Sequence, residues 1–120
     1  MTEGQSAVDP AALDRLLEMT GGDPEFLAEL IDTFLEDGTA QLTALRDAVA
    51  AGDPEAAVRP AHSLKSNSAS MGADQLADVC RALEADARSG RIDDGPARVA
   101  AAAAMFEEVR SALLTVRQEA

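Results

Sequence analysis

Residues 53–90 read DPEAAVRPAHSLKSNSASMGADQLADVCRALEADARSG, and this stretch sets the architecture. Asp53-Pro54 is an N-cap acid followed by Pro at the first helical position, where a missing N–H breaks no bond. Gly72 and Gly90 stand where helices stop. Between these marks Ala57, Ala61, Leu64, Ser68 and Met71 repeat at intervals of 4, 3, 4 and 3. Leu76, Cys80, Leu83 and Ala87 follow the same rule. The spacing predicts two amphipathic helices, over about 54–71 and 74–89, joined by a tight turn.

The same punctuation extends outward. Asp9-Pro10 and Asp23-Pro24 open helices, while Gly21-Gly22 and Gly52 close them. Three more helices follow, over about 10–19, 24–51 and 96–118. In the second of the five segments Leu27, Ile31, Phe34, Leu42, Leu45 and Val49 keep the helical period, and Phe26, Leu30 and Leu35 widen the stripe. Gly38 interrupts it and is a place to bend. The last segment carries Val99, Ala103, Phe106, Val109, Leu113 and Val116. Ala occurs 26 times, whereas strand formers are sparse, with two Ile and no Tyr or Trp. The fold class predicted is all-α: an up-down-up-down antiparallel four-helix bundle with a short extra helix over one end. Residues 1–8 are expected to be a disordered tail and 9–120 the bundle domain. The Ala run at Ala100–Ala104 reads as a close helix contact, and Cys80 as a small buried core residue.

Composition narrows the chemistry. The chain has 120 residues, 10 Lys plus Arg against 22 Asp plus Glu, and a net charge of −12. That field repels phosphate backbones and anionic lipid, so nucleic acid and membrane surface are not expected partners. With three Phe as its only aromatics, the chain has no material for base stacking. One Cys and one His cannot build a His/Cys zinc site, and no glycine-rich nucleotide cradle occurs. Asp93-Asp94-Gly95 lacks the spaced oxygen ligands of a calcium loop and reads as a turn. The apolar run from Val99 to Phe106 falls far short of the ~20 residues a membrane span needs. No secretion signal is visible at the start, and a cytoplasmic protein is expected.

The helix over 54–71 carries the exception to the acidic field. His62 lies about 140° from the centre of its apolar stripe, at about 100° per residue, and so is expected to face solvent. Lys65, Ser66 and Ala69 follow at i+3, i+4 and i+7 and share that face. His62 is the only His of the chain and Lys65 the only Lys. An imidazole is in part neutral at pH 7, so it can attack phosphorus. Phosphoryl transfer asks chiefly for in-line positioning and for charge on the equatorial oxygens, which Lys65 can supply. Ser66 and Ala69 are small enough to let a partner's site close over the ring, although small residues are common on this Ala-rich helix. The other reading of the pair is a solvated helix face. Nothing in the chain supplies a phosphoryl group, so a donor protein is required.

The run from Ala61 to Arg88 resembles the signature of histidine phosphotransfer (HPt) domains of bacterial multistep phosphorelays. The match rests on Ala61, His62, Leu64, Lys65, Ser68, Met71, Gly72, Ala73, Leu76, Cys80, Leu83, Glu84 and Arg88. Phe34–Asp37 and the turn Ala50–Asp53 match in placement. The resemblance implies that His62 takes a phosphoryl group from an aspartyl phosphate on a receiver domain and passes it to another, with Lys65 stabilising the moving group. It places Glu84 against the imidazole, where the alternative is a solvated acid. The partners implied are response-regulator receiver domains and a hybrid histidine kinase. No cofactor is expected on this chain, Mg²⁺ being brought by the receiver, and the chain is expected to be a monomeric carrier rather than an enzyme. Ser66 stands where Gly is commonest in the family. Pro60, two residues before His62, is expected to kink the helix or delay its regular part. Two other readings remain at this level: a helical interaction module without phosphotransfer, and the substrate domain of a chemotaxis-type histidine kinase.

Overall fold

The computed structural model describes residues 7–119. Five helices follow one another: α1 (Pro10–Met19), α2 (Pro24–Ala50), α3 (Pro54–Ser70), α4 (Asp74–Arg88) and α5 (Gly95–Glu119). No strand occurs among the described residues. Each boundary lies within one residue of the sequence expectation. Helices α1, α2 and α3 open on the three Asp-Pro pairs. Asp9 accepts from the Ala11 N–H at 3.0 Å, Asp23 from Glu25 at 3.0 Å and Asp53 from Ala56 at 3.2 Å. Each bond satisfies one of the donors a helix start leaves orphaned.

The four long helices pack in a ring, α2 on α3 and α5, α3 on α4, and α4 on α5. At ~1.5 Å per residue, the 27 residues of α2 account for the 43 Å long axis of the molecule. One part of the core is built of large side chains, with Ile31, Phe34, Leu64, Leu76, Phe106 and Leu113 buried together. The Phe34 and Phe106 rings sit 5.7 Å apart at 42°. The other part is mostly small: Ala48, Ala57, Ala61 and Ala87 surround Leu45, Leu83 and Val99. The thin stripe of α3 thus brings its backbone close to α4, and His62 and Lys65 within reach of side chains on that helix.

Two glycines are dictated by packing. A Cβ on Gly38 would overlap the Phe106 ring, standing 2.7 Å from Cζ. The residue read as a bend is therefore the seat of an aromatic ring from α5. Gly72, at φ +80°, turns the chain between α3 and α4, and a Cβ there would lie 2.6 Å from that of Ala12. Its carbonyl accepts from the Asp9 N–H at 2.9 Å, which docks the start of α1 on this turn.

Several expectations are corrected. Phe26 is not part of the core stripe and stands 46% exposed, because the adjacent Leu27, 3% exposed, takes the core-facing position and leaves Phe26 about 100° round the helix. In α5 the deep position is Ala102, fully buried, and Ala103 is only half-buried. The face 99, 102, 106, 109, 113 tracks the partner helices better than one through 103. Ala100, Ala101 and Ala104 are exposed, so only one side of the Ala run makes the contact. Helix α3 runs unbroken from Pro54 through Pro60, which is itself buried; the regular part is not delayed. The expected tail 1–8 lies outside the described residues over 1–6. Its last residue, Val8, is 3% exposed and belongs to the core, because it precedes the Asp9 cap and covers the apolar end of the bundle.

Candidate functional site

His62 and Lys65 project from one face of α3 toward Glu84 on α4. Ala61 and Leu64 are fully buried beside them, which fixes the register of the face. His62 Nδ1 lies 3.0 Å from Glu84 Oε2, and Lys65 Nζ lies 2.7 Å from Oε1. The His62 side chain is 54% exposed, that of Lys65 27% and that of Glu84 only 7%. Glu84 is therefore no solvated surface acid; it is a nearly buried carboxylate between α3 and α4.

A carboxylate so placed needs compensating charge and hydrogen bonds. The Lys65 ammonium, with hydrogen bonds from Arg88 and His62, holds the Glu84 carboxyl well below its ordinary 4.5, at about 2, against the upward push of burial. At neutral pH it is ionised and can only accept. The hydrogen on the His62–Glu84 bond must then sit on Nδ1. In the neutral ring this leaves the Nε2 lone pair free, on the side turned to solvent. Glu84 fixes both the tautomer and the ring orientation, as partners of functional imidazoles do.

Ser66 and Ala69 are exposed on the same face, leaving the approach to the ring open. Just past them, Asn67 Nδ2 donates to Asp37 Oδ2 of α2 at 2.8 Å, tying α3 to the helix on its other side. A groove of about 340 Å³ begins there, lined by Leu16, Leu30, Phe34 and Met71 among others. Cys80 is fully buried, and burial pushes its thiol up to about 12, which makes it an unreactive core residue.

The sequence reading named Arg88 in the family signature without giving it a role, and it missed one further bond of the site. Arg88 donates to Glu84 Oε2 through Nε at 3.0 Å and Nη2 at 2.7 Å. The signal was present: an acid followed at i+4 by a base is the favourable order on a helix. The Asp37–Asn67 bond joins residues 30 apart in sequence, and no local rule exposes it.

The Hpt domain family model matches residues 29–112, most of the chain, and spans the entire site. The chain belongs to the Hpt domain family. It is also similar to the crystal structure of histidine-containing phosphotransfer protein B (HptB) from Pseudomonas aeruginosa. The sequences are 34% identical over 97% of this chain and 98% of that one, with a TM-score of 0.88. No curated protein sequence matches. As an Hpt domain the protein is a histidine phosphotransfer intermediate of phosphorelays, and Hpt proteins are phosphocarriers rather than enzymes. Hpt domains exchange the phosphoryl group with receiver domains of response regulators. Among the described residues no helix is long and apolar enough to cross a membrane, and no cluster of three His, Cys, Asp or Glu is placed to hold a metal.

Proposed function

We propose that His62 is the phosphoryl carrier of this Hpt domain and reacts through Nε2. The carrying observation is the Glu84 bond to Nδ1, which leaves Nε2 as the outward nucleophile. The Nε2 lone pair attacks the phosphorus of an aspartyl phosphate on a receiver. The P–O bond to the aspartyl carboxyl breaks, an N–P bond forms, and the receiver's carboxylate leaves with the electron pair. The proton on Nδ1 stays in place, directed at Glu84. The reverse displacement hands the group to the next receiver. Lys65 supplies positive charge to the equatorial oxygens. Glu84 positions both groups, and Ser66 and Ala69 keep the approach open.

The chain holds no cofactor of its own in this scheme; Mg²⁺ belongs to the receiver. It binds no ATP and turns over nothing without a partner. The upstream donor is a hybrid histidine kinase acting through its receiver, and the carrier works in the cytoplasm as a monomer. Receivers dock on the small residues around His62 and on the apolar groove toward α1 and α2, because a receiver's acidic site gains nothing from more acid. In this reading the bundle runs up-down-up-down, which is supported by the short links 51–53, 71–73 and 89–94 between helices that pack together. The phosphotransfer domain extends from the end of the expected tail to the C-terminal helix.

The test is incubation with a phosphorylated receiver. The protein should gain one phosphate, labile to acid and stable to base, as a phosphoramidate is. His62→Gln should abolish labelling and leave the helical spectrum and melting temperature nearly unchanged, since the side chain is half exposed. Label that persists in His62→Gln, on Ser63 or Ser66 for example, refutes the assignment.

A further inference from the structure

Glu84 Oε2 takes three hydrogen bonds at once, one from His62 Nδ1 and two from Arg88. The guanidinium thus sits on the same oxygen that orients the ring. We propose that Arg88 is a positioning residue for phosphoryl transfer: it neutralises Glu84 at the oxygen His62 uses, so that the carboxylate fixes the ring without drawing a second proton onto it. The proposal rests on His62 being the phosphoryl carrier.

The physical problem is specific. A carboxylate 3.0 Å from an imidazole favours the imidazolium. An imidazolium is protonated at Nε2 and has no lone pair to attack with. Glu84 is needed to fix the tautomer, yet an uncompensated Glu84 would idle the nucleophile. Lys65 is an insufficient answer. It occupies the other oxygen, Oε1, and it is the cation that incoming phosphoryl oxygens would recruit. If Lys65 turns to the phosphoryl group, Arg88 still holds the charge of Glu84.

The other charged groups around the ring are accounted for. On α3, Arg59 is exposed one turn before His62, and Lys65 is on Glu84. On α4, Arg81 pairs with Asp78. Asp86 of α4 is held by Arg98 of α5. On α2, Asp37 accepts from Asn67 and Gln41. The charged side chains seen in contact with the His62–Glu84 pair are Lys65 and Arg88.

The test follows the ring nitrogens by NMR through a pH titration, which is clean because the chain has one imidazole. Arg88→Gln keeps part of the side-chain stem and removes the charge. The midpoint read from its ring nitrogens should move up relative to wild type. The pH profile of phosphoryl transfer from a phosphorylated receiver should move to alkaline pH by the same amount. Arg88→Lys should restore most of both. In a Glu84→Gln background Arg88→Gln should move the midpoint far less, since the effect runs through the carboxylate. An unchanged midpoint with the helical spectrum intact overturns the proposal. So does an equal shift in both backgrounds, which would make Arg88 a direct electrostatic neighbour only. A shifted midpoint in a protein that never accepts phosphate from any receiver overturns the carrier reading instead, and with it the role of Arg88 in transfer.

Discussion

Lys65 shows how much one side chain can carry in an acidic protein. It is the single ammonium side chain of the molecule and sits 2.7 Å from Glu84 within the His62 site. Lys65→Ala should slow single-turnover transfer from a phosphorylated receiver by roughly ten- to a thousandfold, the range for losing one positioned electrostatic donor. Lys65→Arg should recover only part, because a planar fork does not place its charge where a compact ammonium does. A binding titration of the unphosphorylated pair should change less than the rate. Transfer at the wild-type rate in Lys65→Ala would make Lys65 a bystander. The nomination of this residue came from its helical spacing to His62; its bond to a nearly buried acid did not. Spacing gives the angle around one helix, and what waits on the next helix is a tertiary fact.

At the scale of the elements, the bundle depends on close approach at particular points. Gly38 of α2 receives the ring of Phe106 from α5. In a solvent-facing helix Gly→Ala gains about 0.5–1 kcal/mol. Here the added methyl overlaps an aromatic ring in a packed core, and overpacking costs ~1–3 kcal/mol. Gly38→Ala should therefore lower stability in urea unfolding despite its better helix propensity. A double-mutant cycle with Phe106→Leu should show coupling between the two sites. Additive behaviour, or a more stable Gly38→Ala, would mean that α2 and α5 meet otherwise. The same scale shows what pattern reading resolves. The Asp-Pro starts fixed the openings of α1, α2 and α3 and the glycine stops the ends of the first four helices, because capping is local chemistry. The faces of α2 and α5 were legible only in part. Phe26 and Ala103 were read into the apolar stripes, yet one turns to solvent beside the buried Leu27 and the other lies on the shoulder of the contact.

For the whole molecule, the nearly buried carboxylate of Glu84 ties stability to pH. Glu84 titrates near 2 in the folded chain, against an ordinary 4.5. A group lowered by folding contributes stability that is present above its unfolded value and is lost as pH falls toward its folded one. The exposed Asp32, lowered by its bidentate pair with Arg117 across α2 and α5, acts in the same direction. The melting temperature should thus decline between about pH 5 and pH 2. Glu84→Gln should be less stable than wild type at pH 7 and approach it near pH 2. A constant gap across that range would show that Glu84 is not held ionised by its cations.

By itself the sequence determined the helices, the Asp caps and the pairing on one helix face of the only imidazole with the only ammonium side chain. Each follows from neighbours within a turn or two of chain, or from a count that leaves one imidazole and one ammonium. The Ala61–Arg88 run also pointed to the family. Tertiary structure alone decided that Glu84 is buried rather than solvated, and that two cations and the imidazole, from two helices, converge on its carboxylate. It also decided that Val8 belongs to the core and that Gly38 is a seat for a ring. These are matters of distance between segments far apart in the chain. Periodicity says which way a side chain leaves its own helix, whereas its chemistry is set by what the opposite helix brings to meet it.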